Sequence, residues 1–232
     1  MDVLIILRIE GEIEGLILKK LLTFAWSSDP IISKMFYFEE EARRKGYRLI
    51  GGIDEAGRGP LAGPVVACCV IMPAGSRIEG VRDSKALSPK RREELSLRIK
   101  EVALGFSFGL VPEKVIDRIN IFQATLLAMQ KAVEGLDRKP DFLLIDGRHA
   151  PPTDITHRTI VRGDALSYSI ACASILAKVE RDRMMVAYDE QFPAYGFARH
   201  KGYPTKQHIE ALKKYGPCRI HRISFGPVKE II

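Results

Sequence analysis

The stretch that most constrains the fold is PVVACCVIMP, residues 64–73. An uninterrupted apolar run bounded by prolines reads as a β-strand buried on both faces. Its neighbours extend the pattern. RLIGGID (48–54) is short and apolar and carries glycines, as expected where another backbone or a ligand comes close. ALGFSFGLV (103–111) alternates with period two: Leu104, Phe106, Phe108 and Leu110 share one face, and Gly105, Ser107 and Gly109 the other. Three strands with short links predict an antiparallel meander.

Helical spacing accompanies and follows the meander. Residues 88–103 have Ser88 as a cap and Pro89 at the first helical position, with Leu95, Ile99 and Val102 expected inward. Residues 113–134 repeat Val115, Ile116, Ile119, Phe122, Leu126, Met129 and Val133 at helical intervals, with a break expected near Asn120. DFLLIDG (141–147) predicts a buried strand ending at Asp146–Gly147, and THRTIVRGD (156–164) a second strand ending at Asp164. A long helix is expected over 165–189, its small face of Ala171, Ala173, Ser174 and Ala177 suited to lying close on a sheet. A short amphipathic helix follows Pro204. A meander followed by β–α–β–α units is an α/β fold, a mixed sheet with helices on both sides.

At 232 residues the chain can bury a substantial core as one domain with room for a small appendage. A charged fraction of 28% beside 46% hydrophobic residues describes an ordinary soluble protein and excludes a disordered one. The net charge of +7 suits a polyanionic partner such as nucleic acid without requiring one. The four cysteines make no CxxC and no zinc spacing, and Cys68–Cys69 lie inside the apolar strand, so they read as reduced core residues of a cytoplasmic protein. No secretory signal is evident. Arg8, Glu10, Glu12, Glu14, Lys19 and Lys20 interrupt the apolar N-terminal segment before it reaches the roughly 18 uncharged residues of a membrane span. Residues 1–34 are expected to be either an extra helix or a poorly ordered arm, and 35–232 the main domain, with a helical C-terminal portion from about residue 190.

Four acids fall at predicted strand ends or strand–helix links: Asp54, Glu55, Asp146 and Asp164. Ligands of α/β sheets gather at such ends. Carboxylates converging there would repel one another unless a cation neutralised them, and Mg²⁺ or Mn²⁺ is the hard, oxygen-seeking kind that fits. Each acid also has a plainer reading. Asp164 after Gly163 suits a helix N-cap, and Asp146–Gly147 suits a turn. Adjacent Asp54 and Glu55 should point to opposite faces of a regular strand, so sharing a site requires the strand to end or kink. The cluster Glu180-Arg181-Asp182-Arg183 reads as a solvated helix face.

Five blocks in order, DEAGRGPLAGPVV (54–66), DSKALSPKRRE (83–93), LLIDG (143–147), GDALSYSIACASILAKVERDR (163–183) and HKGYPTKQHIEALKKYGP (200–217), resemble bacterial ribonuclease HII. The resemblance implies a ribonuclease H-like fold, a five-stranded mixed sheet with a small C-terminal helical portion. It implies a monomeric endoribonuclease acting on RNA–DNA hybrids and on duplex DNA containing ribonucleotides, with roles in ribonucleotide removal and primer RNA degradation. Asp54, Glu55, Asp146 and Asp164 match the family's metal-binding catalytic acids, which work with Mn²⁺ or Mg²⁺, two ions when substrate is bound. Gly57, Arg58 and Gly59 match its substrate-sensing segment. Tyr203 matches the tyrosine that stacks at the RNA–DNA junction, and Lys85 and Lys178 match basic positions facing phosphates. The segment 1–34 is longer than the family's usual start. Two rival readings are weaker. A non-catalytic hybrid-binding protein should have lost a metal acid, and none is lost. A nucleotide-binding protein using GRGPLAG as a phosphate loop should carry Gly-Lys-Ser/Thr and an immediate helix, and has neither.

Overall fold

In a computed structural model that describes residues 35–81 and 87–232, the PVVACCVIMP run is the second strand of a five-stranded sheet. The expectations placed on residues 1–34 and on Lys85 lie outside the described residues. The strands are β1 (Ile50–Ala56), β2 (Val65–Ile71), β3 (Gly105–Val111), β4 (Phe142–Asp146) and β5 (His157–Ile160), in the order β3-β2-β1-β4-β5. The β1–β2–β3 meander is antiparallel, and β1–β4 and β4–β5 are parallel. The helices are α1 (Tyr37–Arg44), α2 (Pro89–Val102), α3 (Glu113–Glu134), α4 (Gly163–Leu166), α5 (Tyr168–Gln191), α6 (Phe197–His200), α7 (Lys206–Tyr215) and α8 (Gly226–Lys229). All the described residues fall within one compact unit, Lys34–Ile232.

Strand β2 is buried along its whole length, and its alternation distributes it between two layers. Cys68 and Val70 join Leu95 and Ile99 of α2 and the small-residue face of α5. Val65, Ala67, Cys69 and Ile71 join Ala124, Ala128 and Ala132 of α3 on the other side. Small residues bring both helices close. A Cβ on Gly52 of β1 would fall within 3.0 Å of the Ser169 backbone at the start of α5, and one on Gly109 of β3 would overlap the Ala128 carbonyl of α3. Helix α1 fastens the start of α5, because the buried Glu39 carboxylate accepts from Ser167 Oγ at 2.7 Å and from Ser169 N–H at 2.8 Å.

Several expectations are corrected. Val102 is exposed rather than inward, since it stands in the last turn of α2 beyond the sheet. In β3, where the alternation holds without having fixed which face is inward, the glycine–serine face packs on α3, while Phe106 and Leu110, with Leu104 just before the strand, are exposed; Lys100 lies over the Phe106 and Phe108 rings. The fifth strand stops at Ile160, and Asp164 sits in the short turn α4 after Arg162, whose φ of 61° is left-handed. Helix α3 does break at Asn120 (φ 65°), whose Oδ1 recaps the second segment by accepting from the N–H groups of Phe122 and Gln123. Arg181, assigned to a solvated face, is fully buried.

A third apolar cluster forms the C-terminal portion: Tyr195, Phe197, Leu212, Ile220 and Val228 pack with Met185 of α5 and with Leu61 and Ala62 of the loop after β1. That loop therefore belongs as much to the C-terminal cluster as to the sheet.

Candidate active site

Strands β1 and β4 pair only as far as Ile53 opposite Ile145. Past that point β1 continues beside β2 to Ala56, whereas Asp146 at the end of β4 pairs with Ile160 of β5. The sheet opens between its two central strands at their carboxyl ends, the position of ligand crevices in α/β folds. Asp54 and Glu55 stand on one lip and Asp146 on the other, each offering an oxygen within 4.8 Å of the others. Strand β1 ends at Ala56, directly after Glu55, which meets the requirement read from the sequence that the strand be ending there. The lost β4 pairing also leaves an edge that adjacent side chains reach from both faces. Asp54 hydrogen-bonds Ser174 of α5, and Glu55 lies beside Phe122, Thr125 and Met129 of α3.

The electrostatics of this edge are unfavourable as it stands. Burial, then the charges of Glu55 and Asp146, push the Asp54 carboxyl well above its ordinary range. Burial also raises Glu55, opposed by the Arg58 guanidinium 3.1 Å from its carboxylate. Clustered oxygen donors short of positive charge are the chemistry that a hard divalent cation satisfies, so the residues fit such an ion. Asp164 is buried but is not among the three acids within 4.8 Å. It adjoins them through Gly163, whose N–H donates to Asp146 Oδ1 at 2.6 Å.

The acids Asp54, Glu55 and Asp146 share a cleft of about 270 Å³ with Gly57, Arg58, Gly59, Lys178 and Tyr203, so all five of the expected substrate-binding residues other than Lys85 surround the same space. Tyr203 is 42% exposed, and its ring lies 3.7 Å from where a Cβ on Gly59 would stand. Lys178 donates to Asp182 at 2.5 Å. Burial pulls its ammonium pKa down, against the pull of that carboxylate. A larger cleft of about 580 Å³ shares Lys178 and Tyr203 and carries Arg92, Arg183, Arg199 and Lys201, which makes a basic surface next to the acids.

The glycine loop is held from behind. Leu61 N–H donates to Gly202 O and Gly63 N–H to Ile220 O, both at 2.8 Å, and Leu61 O accepts from Arg222 N–H at 2.8 Å. Two fully buried guanidiniums add to this. Arg181 donates to the carbonyls of Ala62, Pro64 and Lys201, each at 3.0 Å. Arg222 donates to those of Gly57, Arg58 and Gly63 at 2.6–3.0 Å. Sequence reading passed over Ser174 and Arg222 and misassigned Arg181. The small-residue face of α5 was the signal available for Ser174; a basic residue in a basic chain gives none for the arginines.

The family model described as Ribonuclease HII matches residues 51–228. The Ribonuclease HII of Caldicellulosiruptor bescii is 56% identical over 190 residues, 82% of this chain and 92% of that protein. That of Clostridioides difficile is 49% identical over 229 residues, 97% of this chain and 90% of that protein. Among solved structures, the ribonuclease H2 from Pyrococcus horikoshii OT3 superposes with a TM-score of 0.66 at 28% identity, covering 78% of this chain and 96% of its own. Bst-RNase HIII, solved in complex with Mn²⁺, has a TM-score of 0.62 at 16% identity over 82% of this chain and 71% of its own, a likeness of fold alone. With the fold, the open strand edge and these matches in agreement, the chain belongs to the ribonuclease HII family of ribonuclease H hydrolases.

Proposed function

We propose that this chain is a divalent-metal-dependent endoribonuclease that cuts RNA in RNA–DNA hybrids and single ribonucleotides within duplex DNA, leaving 3′-hydroxyl and 5′-phosphate ends. The observation that carries the reading is one cleft uniting three clustered acids with a bare glycine loop and an exposed tyrosine. Asp54, Glu55 and Asp146 would hold Mg²⁺ or Mn²⁺, with Asp164 as the adjoining fourth acid. When bound, the ion supplies the charge these acids lack and the Lewis acidity that activates water and stabilises the leaving oxygen.

The chain's own residues account for substrate choice. RNA differs from DNA at a site by its 2′-hydroxyl, which backbone groups of Gly57–Gly59 can approach because no side chain intervenes at either glycine. Tyr203 offers a flat face beside Gly59, worth roughly 1–3 kcal/mol where it stacks on a base. Arg58 and Lys178, each now paired with a carboxylate, would exchange those partners for phosphate oxygens. Such contacts position a duplex without reading its bases. Among the described residues no helix is long and apolar enough to cross a membrane.

The direct test is incubation with a labelled DNA duplex carrying one ribonucleotide, with and without divalent metal. The expected product, formed only with metal, ends at the DNA residue 5′ of the ribonucleotide. Absence of cleavage, or equal cleavage of an all-DNA duplex, would overturn the reading.

A further inference from the structure

We propose that Arg222 is a positioning residue for ribonucleotide recognition: its buried guanidinium holds the carbonyls of Gly57 and Arg58 inward and so presents the N–H groups of Arg58 and Gly59 to the cleft. This deepens the function proposed above and rests on it.

The argument starts from peptide geometry. In a trans peptide the C=O of one residue and the N–H of the next point in opposite directions. The described peptide bonds are all trans. Arg222 Nη2 donates to Gly57 O at 2.6 Å, and Nη1 donates to Arg58 O at 3.0 Å. Fixing these two carbonyls towards the interior turns the next two amides outward. Both belong to residues that line the acid cleft, and neither N–H has an acceptor among the described residues. Two successive outward amides form a concave donor pair, the kind of backbone feature that receives an oxygen ligand.

The energetic pattern fits a specialised role better than generic packing. Arg222 is fully buried, and among the described residues neither it nor Arg181 pairs with a carboxylate. Burying an unpaired cation is costly, and an apolar residue of similar volume commonly serves stability as well or better. Burial lowers the pKa of Arg222 to about 9 and of Arg181 to about 10, still above neutrality, so both stay charged. What a guanidinium offers that an apolar residue cannot is a rigid planar fork. Here that fork reaches the Gly57 and Arg58 carbonyls and, through Nε and Nη2, the Gly63 carbonyl at 3.0 and 2.8 Å. Arg181 closes the other side: a Cβ on Gly57, whose φ is 96°, would overlap its side chain.

The test compares Arg222→Lys with the unsubstituted full-length protein. Lysine keeps a positive charge but not the fork. The readouts are KM and kcat on a duplex with one ribonucleotide, affinity for the matching all-DNA duplex, and Mn²⁺ affinity. The expected result is at least a tenfold loss in the preference for the ribonucleotide duplex, with all-DNA affinity and Mn²⁺ affinity unchanged within twofold. A preference retained within twofold, or equal losses on both duplexes, would overturn the proposal. Amide hydrogen exchange supplies a test that does not depend on that variant folding. In Asp54→Asn, used to prevent turnover, the Arg58 and Gly59 amides should gain at least tenfold protection with the ribonucleotide duplex and not with all-DNA. Lack of that gain would also overturn it. Failure of the unsubstituted protein to cleave any ribonucleotide duplex would instead remove the underlying function, a distinguishable outcome.

Discussion

Beneath Tyr203 and the glycine loop lies a chain of neutral imidazoles, and lowering the pH should break it. His208 Nδ1–H donates to Tyr203 O at 2.9 Å, and His208 Nε2 accepts from His221 Nε2–H at 3.0 Å. His221 Nδ1 in turn accepts from Cys218 N–H at 2.9 Å. These partners fix one tautomer on each ring. A proton added to either histidine would set N–H against a donor within a buried cluster. His200 stacks on His208 with centroids 4.4 Å apart, the Cys218 thiol lies 3.1 Å from His221 Nδ1, and the Tyr195 ring packs on His221. None of these supplies a negative charge near neutrality: burial raises the thiol of Cys218 and the phenol of Tyr195. Burial pulls His208 and His221 from 6.5 to about 4.

The sign and size follow from linkage. Between pH 6.5 and 4 the unfolded chain takes up protons on these histidines that the folded chain refuses, so their contribution to stability is full above 6.5 and is lost as pH falls. From pH 7.5 to 5.5 each histidine costs about 1.3 kcal/mol and the pair about 2.6 kcal/mol, a shift of roughly 5–10 °C in midpoint for a unit of this size. Asp54, Glu55 and Glu39 act in the opposite sense. Their raised pKa values make the folded state gain protons first, so their repulsion or burial cost is relieved on acidification. The assay is therefore a comparison: denaturant unfolding at both pH values for the unsubstituted protein and for His208→Gln/His221→Gln. The unsubstituted protein should lose about 2.6 kcal/mol more than the variant on acidification. Equal pH responses within about 0.5 kcal/mol would refute the reasoning, since the two proteins share every other titrating group.

Asp54→Asn should abolish hydrolysis while duplex binding survives, and in chelator it should raise stability by about 1–2 kcal/mol because it removes a buried, repelled carboxyl; unchanged turnover would eliminate Asp54 from the chemistry. Tyr203→Ala should reduce cleavage at a lone ribonucleotide more than it reduces duplex affinity, and equal losses on both measures would assign the ring to packing alone. Gly52→Ala should cost about 3 kcal/mol in denaturant unfolding, since its Cβ would meet the Ser169 backbone rather than a movable side-chain end; a cost below about 1 kcal/mol would show that α5 can shift off β1 freely.

The parts of this fold legible in the sequence are those set by local pattern. The period-two strands, the capped start of α2 at Ser88 and the break at Asn120 depend on residues close together in the chain, and each stands where that pattern puts it. Asp54, Glu55 and Asp146 were legible as a set because all three fall at strand ends. What made them one site, the parting of β4 from β1 after Ile53, depends on register and could not be read locally. Arg181 was misread for a similar reason. Four charged residues in a row look solvated until the loop carbonyls of Ala62, Pro64 and Lys201 are brought onto one of them. In β3, alternation showed that two faces differ but not which faces inward; the glycine face won because α3 needs that closeness.

The loop after β1 joins two constructions that are otherwise separate. The acid edge is made by the sheet: β1, β4 and the small face of α5 would bring Asp54, Glu55 and Asp146 together whatever followed. The loop has no such support from the sheet. Its Leu61 and Ala62 are buried in the C-terminal cluster, its backbone bonds run to Gly202, Ile220 and Arg222, and Ala62 bridges His221. The residues proposed to bear on the choice of sugar, Gly57–Gly59 and Tyr203, are thus anchored on the same short C-terminal stretch that carries His221 and Arg222. A perturbation there should alter which duplex is accepted before it alters how the acids hold a cation, whereas one at the β1–β4 edge should do the reverse. Under the proposed function, selectivity and bond cleavage should therefore be separable, because different long-range contacts set the backbone on either side of Ala56.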